Sequence, residues 1–93
     1  YKTDIYSLGI TLYYAATGAY PIQGDTAMEI VEGHLYTTPC PLYEINPDLD
    51  PKFTSLVDRM LEKKREKRPD GMEIKVVLKD LLMAEKPSEN LSF

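Results

Sequence analysis

Apolar positions crowd the opening of the chain. The stretch DIYSLGITLYYAATGAYPI, residues 4–22, carries no charge after Asp4. Ile5, Tyr6, Leu8, Ile10, Leu12, Tyr13, Tyr14, Ala15 and Ala16 cover nearly the whole circumference of a helix, and a helix apolar all round is one buried on all sides. Asp4 stands just ahead of the run, where a carboxylate caps free backbone N–H groups and meets the positive end of the dipole. Gly18, with Pro21 beyond it, ends the helix after Thr17. A bilayer crossing takes about 20 apolar residues, so this run is too short for lipid and calls for protein around it.

Further along, Thr26-Ala-Met-Glu29 has the spacing of a capping box, with Asp25 as a competing cap, and predicts a short surface helix from Thr26 to Glu32 closed by Gly33. Residues 34–50 hold Pro39, Pro41 and Pro47 and show no period, which predicts a long irregular connection that is functional or packed. Asp50 and Pro51 then open the clearest helix, with Phe53, Leu56, Val57, Met60 and Leu61 on one face. It ends in the basic run Lys63 to Arg68. After Pro69, Asp70 and Gly71, a last helix spans Met72 to Met83 with Ile74, Val77, Leu78, Leu81 and Leu82 on one side. Residues 84–93 read as a flexible polar tail. No segment has a strand pattern, so the fold class is all-α, about four helices in one small domain over residues 1–83.

Composition agrees with a folded domain: 93 residues, 43% hydrophobic, with Tyr supplying seven aromatic rings and Phe two. A net charge of -4 excludes a surface built throughout to hold nucleic acid or anionic lipid. The one cysteine, Cys40, cannot form an internal disulfide and fits a reducing, cytoplasmic setting. The chain opens Tyr-Lys-Thr with no basic segment before the apolar run, so the expectation is a piece of something longer without a signal peptide.

Candidate chemistry is sparse. One His and one Cys without ligand spacing leave no metal set, and His34 reads as a helix-end residue whose charged form the dipole favours. Ser7 sits inside the apolar helix with no elbow glycines and reads as structural; Cys40 reads as a small packing residue. Lys63 to Arg68 hold five of the eleven basic residues and read as a solvated helix end. Asn90-Leu91-Ser92 is a glycosylation triplet of a kind common by chance.

Taken in order, Asp4-Ile-Tyr-Ser-Leu-Gly9 with Leu12, then Thr17-Gly18 and Tyr20-Pro21-Ile22, then the helix from Phe53 to Lys63 and Lys67-Arg68-Pro69, resemble the C-terminal part of the large helical lobe of eukaryotic-type serine/threonine protein kinases, helices F to I. The family's wording is D-x-W-S-x-G, T-G, a Pro-Phe pair, and Arg-Pro before the last helix. The resemblance implies a first helix in the middle of the lobe, with Asp4 supporting the catalytic loop through its backbone N–H groups. It further implies Arg68 paired with the Glu of an Ala-Pro-Glu motif, and Leu8, Leu12, Met60 and Leu61 forming the core of the lobe.

The parent implied by this resemblance transfers the γ-phosphoryl group of ATP, with magnesium, to Ser or Thr of protein substrates. The catalytic parts of that family, a Gly-rich loop, a phosphate-positioning Lys, H-R-D-x-x-x-x-N and D-F-G, do not occur in these 93 residues. The chain itself is therefore expected to catalyse nothing, to bind no cofactor or metal, and to act as scaffold and docking surface for the remainder of the kinase domain. With its partners missing it is expected either to self-associate through the exposed face of the first helix or to remain loosely folded. Tyr6 stands where many members have Trp, as in bacterial-type kinases; Tyr14 stands where members preferring basic substrates have Glu; Ile22 replaces Phe. A pseudokinase remnant and a stand-alone helical interaction module are the competing readings.

Overall fold

A computed structural model of the chain describes residues 1–85, which form five α-helices and one 3-10 turn. These are α1 (Lys2–Thr17), α2 (Ala27–Tyr36), α3 (Leu42–Ile45), α4 (Pro51–Met60) and α5 (Gly71–Glu85), with the 3-10 turn at Arg65–Lys67. No strand is present among the described residues, so the molecule is all-α. The flexible-tail expectation and the Asn90 triplet lie outside the described residues, apart from Ala84 and Glu85, which continue α5.

The centre of the fold is α4. Asp50 accepts a hydrogen bond from the Lys52 N–H at 2.8 Å and Pro51 occupies the first turn, the arrangement its sequence predicts. Leu56, Val57 and Met60 on this helix are almost fully buried, and Leu61 follows at 3% exposure. One side of α4 closes over Ile5 of α1 and Ile74 of α5, with Leu12, Val77 and Leu78 at the edge. The other side closes over Tyr13 of α1 and Leu42 of α3, flanked by Ile10, Ala16, Leu49 and Phe53. A Cβ on Gly9 would lie 2.9 Å from the Cβ of Met60, so the glycine lets the two helices approach closely.

The long connection is partly ordered into α3, which the absence of a period did not reveal. Two long-range polar contacts hold it. The Tyr13 hydroxyl donates to the Cys40 carbonyl at 2.7 Å, and the Leu42 N–H donates to Asp58 Oδ1 at 3.2 Å. Asp58 thereby satisfies a first-turn donor of a helix whose own cap, Pro41, supplies no side-chain acceptor.

The end of α2 and the start of α5 differ from expectation. Thr26 caps α2, its Oγ1 accepting from the Glu29 N–H at 3.1 Å, while Glu29 Oε1 reaches one residue further back than a capping box does and accepts from the Asp25 N–H at 2.7 Å. Yet α2 passes through Gly33 to Tyr36. Gly33 is buried because Ile22 lies directly over it, so the glycine provides a close approach and does not end the helix. A reciprocal box, Asp70 with Glu73, starts α5 one residue early: Asp70 Oδ1 accepts from the Glu73 N–H at 2.8 Å and Glu73 Oε1 from the Asp70 N–H at 3.2 Å.

Candidate functional site

Pro69 holds the residue before it in extended backbone, and Arg68 adopts φ -79° and ψ 148°. That geometry aims its guanidinium back across the end of α4. Its Nε donates to the Glu62 carbonyl at 2.7 Å, Nη1 to the Lys2 carbonyl at 3.0 Å and Nη2 to the Lys63 carbonyl at 3.4 Å. The Lys2 Nζ donates in return to the Arg68 carbonyl at 2.7 Å. Arg68 therefore joins the first turn of α1 to the carbonyls of Glu62 and Lys63 in the segment just beyond α4. Among the described residues, Arg68 forms no salt bridge with a carboxylate.

Tyr6 lies beneath this cation, its ring centroid 4.8 Å from the guanidinium carbon. The Tyr6 hydroxyl meets His34 Nδ1 at 2.7 Å, which brings α2 onto α1. Lys63 completes the group, donating from Nζ to the Gly33 carbonyl at 3.2 Å. Burial raises the Tyr6 phenol above its ordinary range, with Arg68 pulling the other way. Burial and then the Lys63 charge lower His34, and burial followed by Arg68 lowers Lys63. The expected preference of His34 for its charged form is thus reversed: it does sit in the last turn of α2, but desolvation and then the Lys63 charge outweigh the dipole. The hydroxyl–imidazole pair is a proton held by a phenol, not an activated nucleophile.

The basic run also departs from expectation. The helix α4 stops at Met60, so residues 63–68 lie beyond it; Lys64, Arg65 and Lys67 are exposed while Lys63 and Arg68 turn inward.

The outer face of α1 is the second feature. Asp4 lies in the first turn rather than at the cap, since the helix begins at Lys2, and its side chain is 92% exposed. Ser7, Leu8, Thr11, Tyr14 and Ala15 follow it on the exposed side, none charged. Burial all round is therefore not observed: α4 and its neighbours cover one side of α1 and leave this one wet. Leu8, expected in the core, is 42% exposed for that reason, and Ser7 faces outward as well. Leu12 lies at the junction of both core clusters, and Met60 and Leu61 lie within them. At the far end of the same face Tyr14 stacks on Tyr20, with ring centroids 4.5 Å apart and planes 22° from parallel.

Elsewhere the chemistry is quiet. Cys40 is exposed rather than packed, and desolvation, then Glu44 and Asp58, push its thiol up, the opposite of activation. No group of three His, Cys, Asp or Glu among the described residues converges for a metal. An apolar groove of about 430 Å³ runs between Phe53 on α4 and Leu78, Leu81 and Leu82 on α5, with no titratable pair inside it. No helix among the described residues is long and apolar enough to cross a membrane. The contacts that define the site, Tyr6 with His34 and Arg68 with Lys2, join residues 28 and 66 positions apart, and no local pattern announces them.

No protein-family model matches the chain. Among curated proteins it is 40% identical over 67 residues to a probable serine/threonine-protein kinase of Clostridium acetobutylicum, covering 72% of this chain and 10% of that protein. It is 38% identical over 61 residues to the serine/threonine-protein kinase PknA of Mycobacterium tuberculosis, 66% of this chain and 14% of that one. A serine/threonine-protein kinase of Mus musculus is 37% identical over 71 residues, 73% of this chain and 15% of that one. The chain spans about a tenth of the length of the first of these relatives. Over about 70% of its length the chain is similar to part of bacterial and animal serine/threonine protein kinases, and its all-helical architecture is consistent with the C-terminal part of their large lobe.

Proposed function

We infer that these residues serve as the scaffold and docking portion of a serine/threonine protein kinase whose catalytic machinery lies in the remainder of its domain. The observation that carries this reading is the outer face of α1: Leu8, Tyr14 and Ala15 lie exposed there without a charged neighbour beyond Asp4. Such a face suits protein contact and not water. On this reading the catalytic loop lies against it, with Asp4 accepting hydrogen bonds from the loop's backbone N–H groups. The three carbonyl partners of Arg68 hold its partly buried guanidinium against Tyr6, where the activation-segment Glu of the parent pairs with it. ATP and magnesium are held by the rest of the parent, which supplies phosphoryl transfer to protein Ser or Thr; α2 and its flanking loop offer a docking surface.

Taken alone, the 93 residues neither bind nucleotide nor transfer phosphate, and they self-associate through the α1 face. Two measurements test this. The gene upstream of Tyr1 is read for G-x-G-x-x-G, a lysine on the third strand, H-R-D and D-F-G: an intact set supports an active parent, a degraded set a pseudokinase, and a missing set a stand-alone module. The parent carrying Asp4→Ala or Arg68→Ala is assayed for phosphoryl transfer to a protein substrate, with a fall of tenfold or more expected, about 1.4 kcal/mol per decade; wild-type rates in both would sink the assignment.

A further inference from the structure

The attachment of α2 to the rest of the molecule is narrow. Of its ten residues only Gly33 is buried and only His34 half-buried. What seats it is confined to one turn: Ile22 over Gly33, Lys63 Nζ on the Gly33 carbonyl, and the Tyr6 hydroxyl against His34 Nδ1. Yet the helix is apolar where it faces away. Met28, Val31 and Leu35, at i, i+3 and i+7, are each more than half exposed and adjoin along its outer side. Single surface hydrophobics need no explanation, but a contiguous row of them marks a contact surface.

The carboxylates beside the row define what covers it. Glu32 lies four residues beyond Met28 and three before Leu35, and Glu29 lies three before Glu32. Glu29 has an internal use, its Oε1 accepting from the Asp25 N–H; Glu32 has no ion-pair partner among the described residues. Like charges one turn apart repel, and α2 carries no Lys or Arg to offset them. A surface that seats here therefore brings apolar side chains and cations together.

Such a surface exists on α5 of the same chain. Met72, Val76 and Met83, at i, i+4 and i+11, are also more than half exposed and share one outer row. Lys79 stands between Val76 and Met83 in that row and Lys75 one turn before it, both exposed. Neither lysine has an ion-pair partner among the described residues. The acids Glu73 and Asp80 lie on the opposite edge of the row, and Glu73 is already held by Arg59 at 2.9 Å. A shallow hollow of about 330 Å³ at Met72 and Val76 offers a seat for a side chain of a facing helix.

We propose that the outer face of α2 in one copy of the chain seats on the outer face of α5 in another, the two apolar rows packed together and Glu29 and Glu32 matched to Lys75 and Lys79. An anionic lipid surface does not suit α2, since a helix lying on one carries Lys and Arg along its polar side. Three apolar side chains on each helix fall short of the ~1,000 Å² of a lasting interface. The contact is accordingly weak, forming near millimolar concentration, and takes its selectivity from charge. It is separate from the α1 face and does not rest on the kinase reading, because no phosphoryl transfer enters its test.

The test uses the 93-residue chain carrying Leu8→Lys, which removes association through α1, and follows its backbone amide NMR signals from about 20 μM to about 1 mM. Signals of α2 and α5 are expected to move together with concentration, and to move less in about 500 mM than in about 50 mM NaCl. Glu32→Lys and Lys79→Glu, each added alone, set like charges against each other across the contact and weaken it about tenfold. An equimolar mixture of the two variants regains it, since each supplies the charge that the other now needs. A merely structural role of either residue is not repaired by mixing. Signals that stay still leave the face to a protein of another sequence, and movement in α2 without α5 assigns it to α2 of a second copy. Either result overturns the proposal, as does a mixture that associates no more tightly than its components.

Discussion

Ile22 lies over the bare Cα of Gly33, so close that a methyl group there would collide with Ile22 Cγ2. The contact joins the loop after α1 to α2, and Ile22 is 7% exposed because of it. Gly33→Ala gains about 1 kcal/mol of helix propensity but overpacks a filled site at about 1–3 kcal/mol. Net destabilisation by about 1 kcal/mol is expected in urea unfolding. In an Ile22→Ala background, where the colliding methyl is gone, the same glycine change turns neutral or stabilising.

Asp58 holds the start of α3 through the Leu42 N–H, and burial raises its carboxyl above the ordinary 3.8, with Glu44 adding to the rise and the hydrogen bond from Leu42 opposing it. A raised carboxyl means that the folded state binds more protons, so this group's contribution is full below pH 3.8 and declines as pH climbs through the folded value. Asp58→Asn keeps an acceptor for Leu42 and sheds the charge: stability at pH 7 is expected to hold or rise, and the decline just above pH 3.8 to flatten. Asp58→Ala leaves the N–H without a partner and is expected to cost about 1–3 kcal/mol. Thermal melts of both variants across pH 3.5–7 separate the two effects.

Leu8 and Met60 carry opposite expectations although both are large apolar residues. Met60 is fully buried, so Met60→Ala is expected to cost about 2–5 kcal/mol. Leu8→Lys, on the wet face, is expected to change stability by no more than about 0.5 kcal/mol while abolishing the self-association of the isolated chain in light scattering.

Arg68 works through the shape of its head group. Arg68→Lys keeps the charge but cannot reach the carbonyls of Glu62, Lys63 and Lys2 together, and it loses the planar contact with Tyr6. A loss of about 1–3 kcal/mol is expected, measurable by denaturant titration. Recovery of wild-type stability in the lysine variant would show that charge alone suffices.

Much of this fold is written locally. Asp50-Pro51 and the apolar face from Phe53 to Leu61 define α4 without reference to anything distant, and Gly18 ends α1 in the left-handed conformation, φ 78°. Gly33 was misread because a glycine closing a helix and a glycine admitting a neighbour look alike until Ile22 is placed. The short α3 left no trace, since its four residues are held by Tyr13 and Asp58 from other helices. Leu8 shows the converse: its position in a charge-free run reports burial, but the run alone does not say which side of α1 this chain itself covers. The site around Arg68 was legible as a motif and illegible as geometry, because its partners are backbone carbonyls, which no side-chain pattern encodes.

Because α2 rests on the body at a single turn, its outward residues, Met28, Val31 and Leu35 among them, answer to no internal neighbour. Their identities can drift or be exchanged wholesale without troubling the core beneath. Related proteins can therefore share one interior and still display very different exteriors at this corner of the molecule.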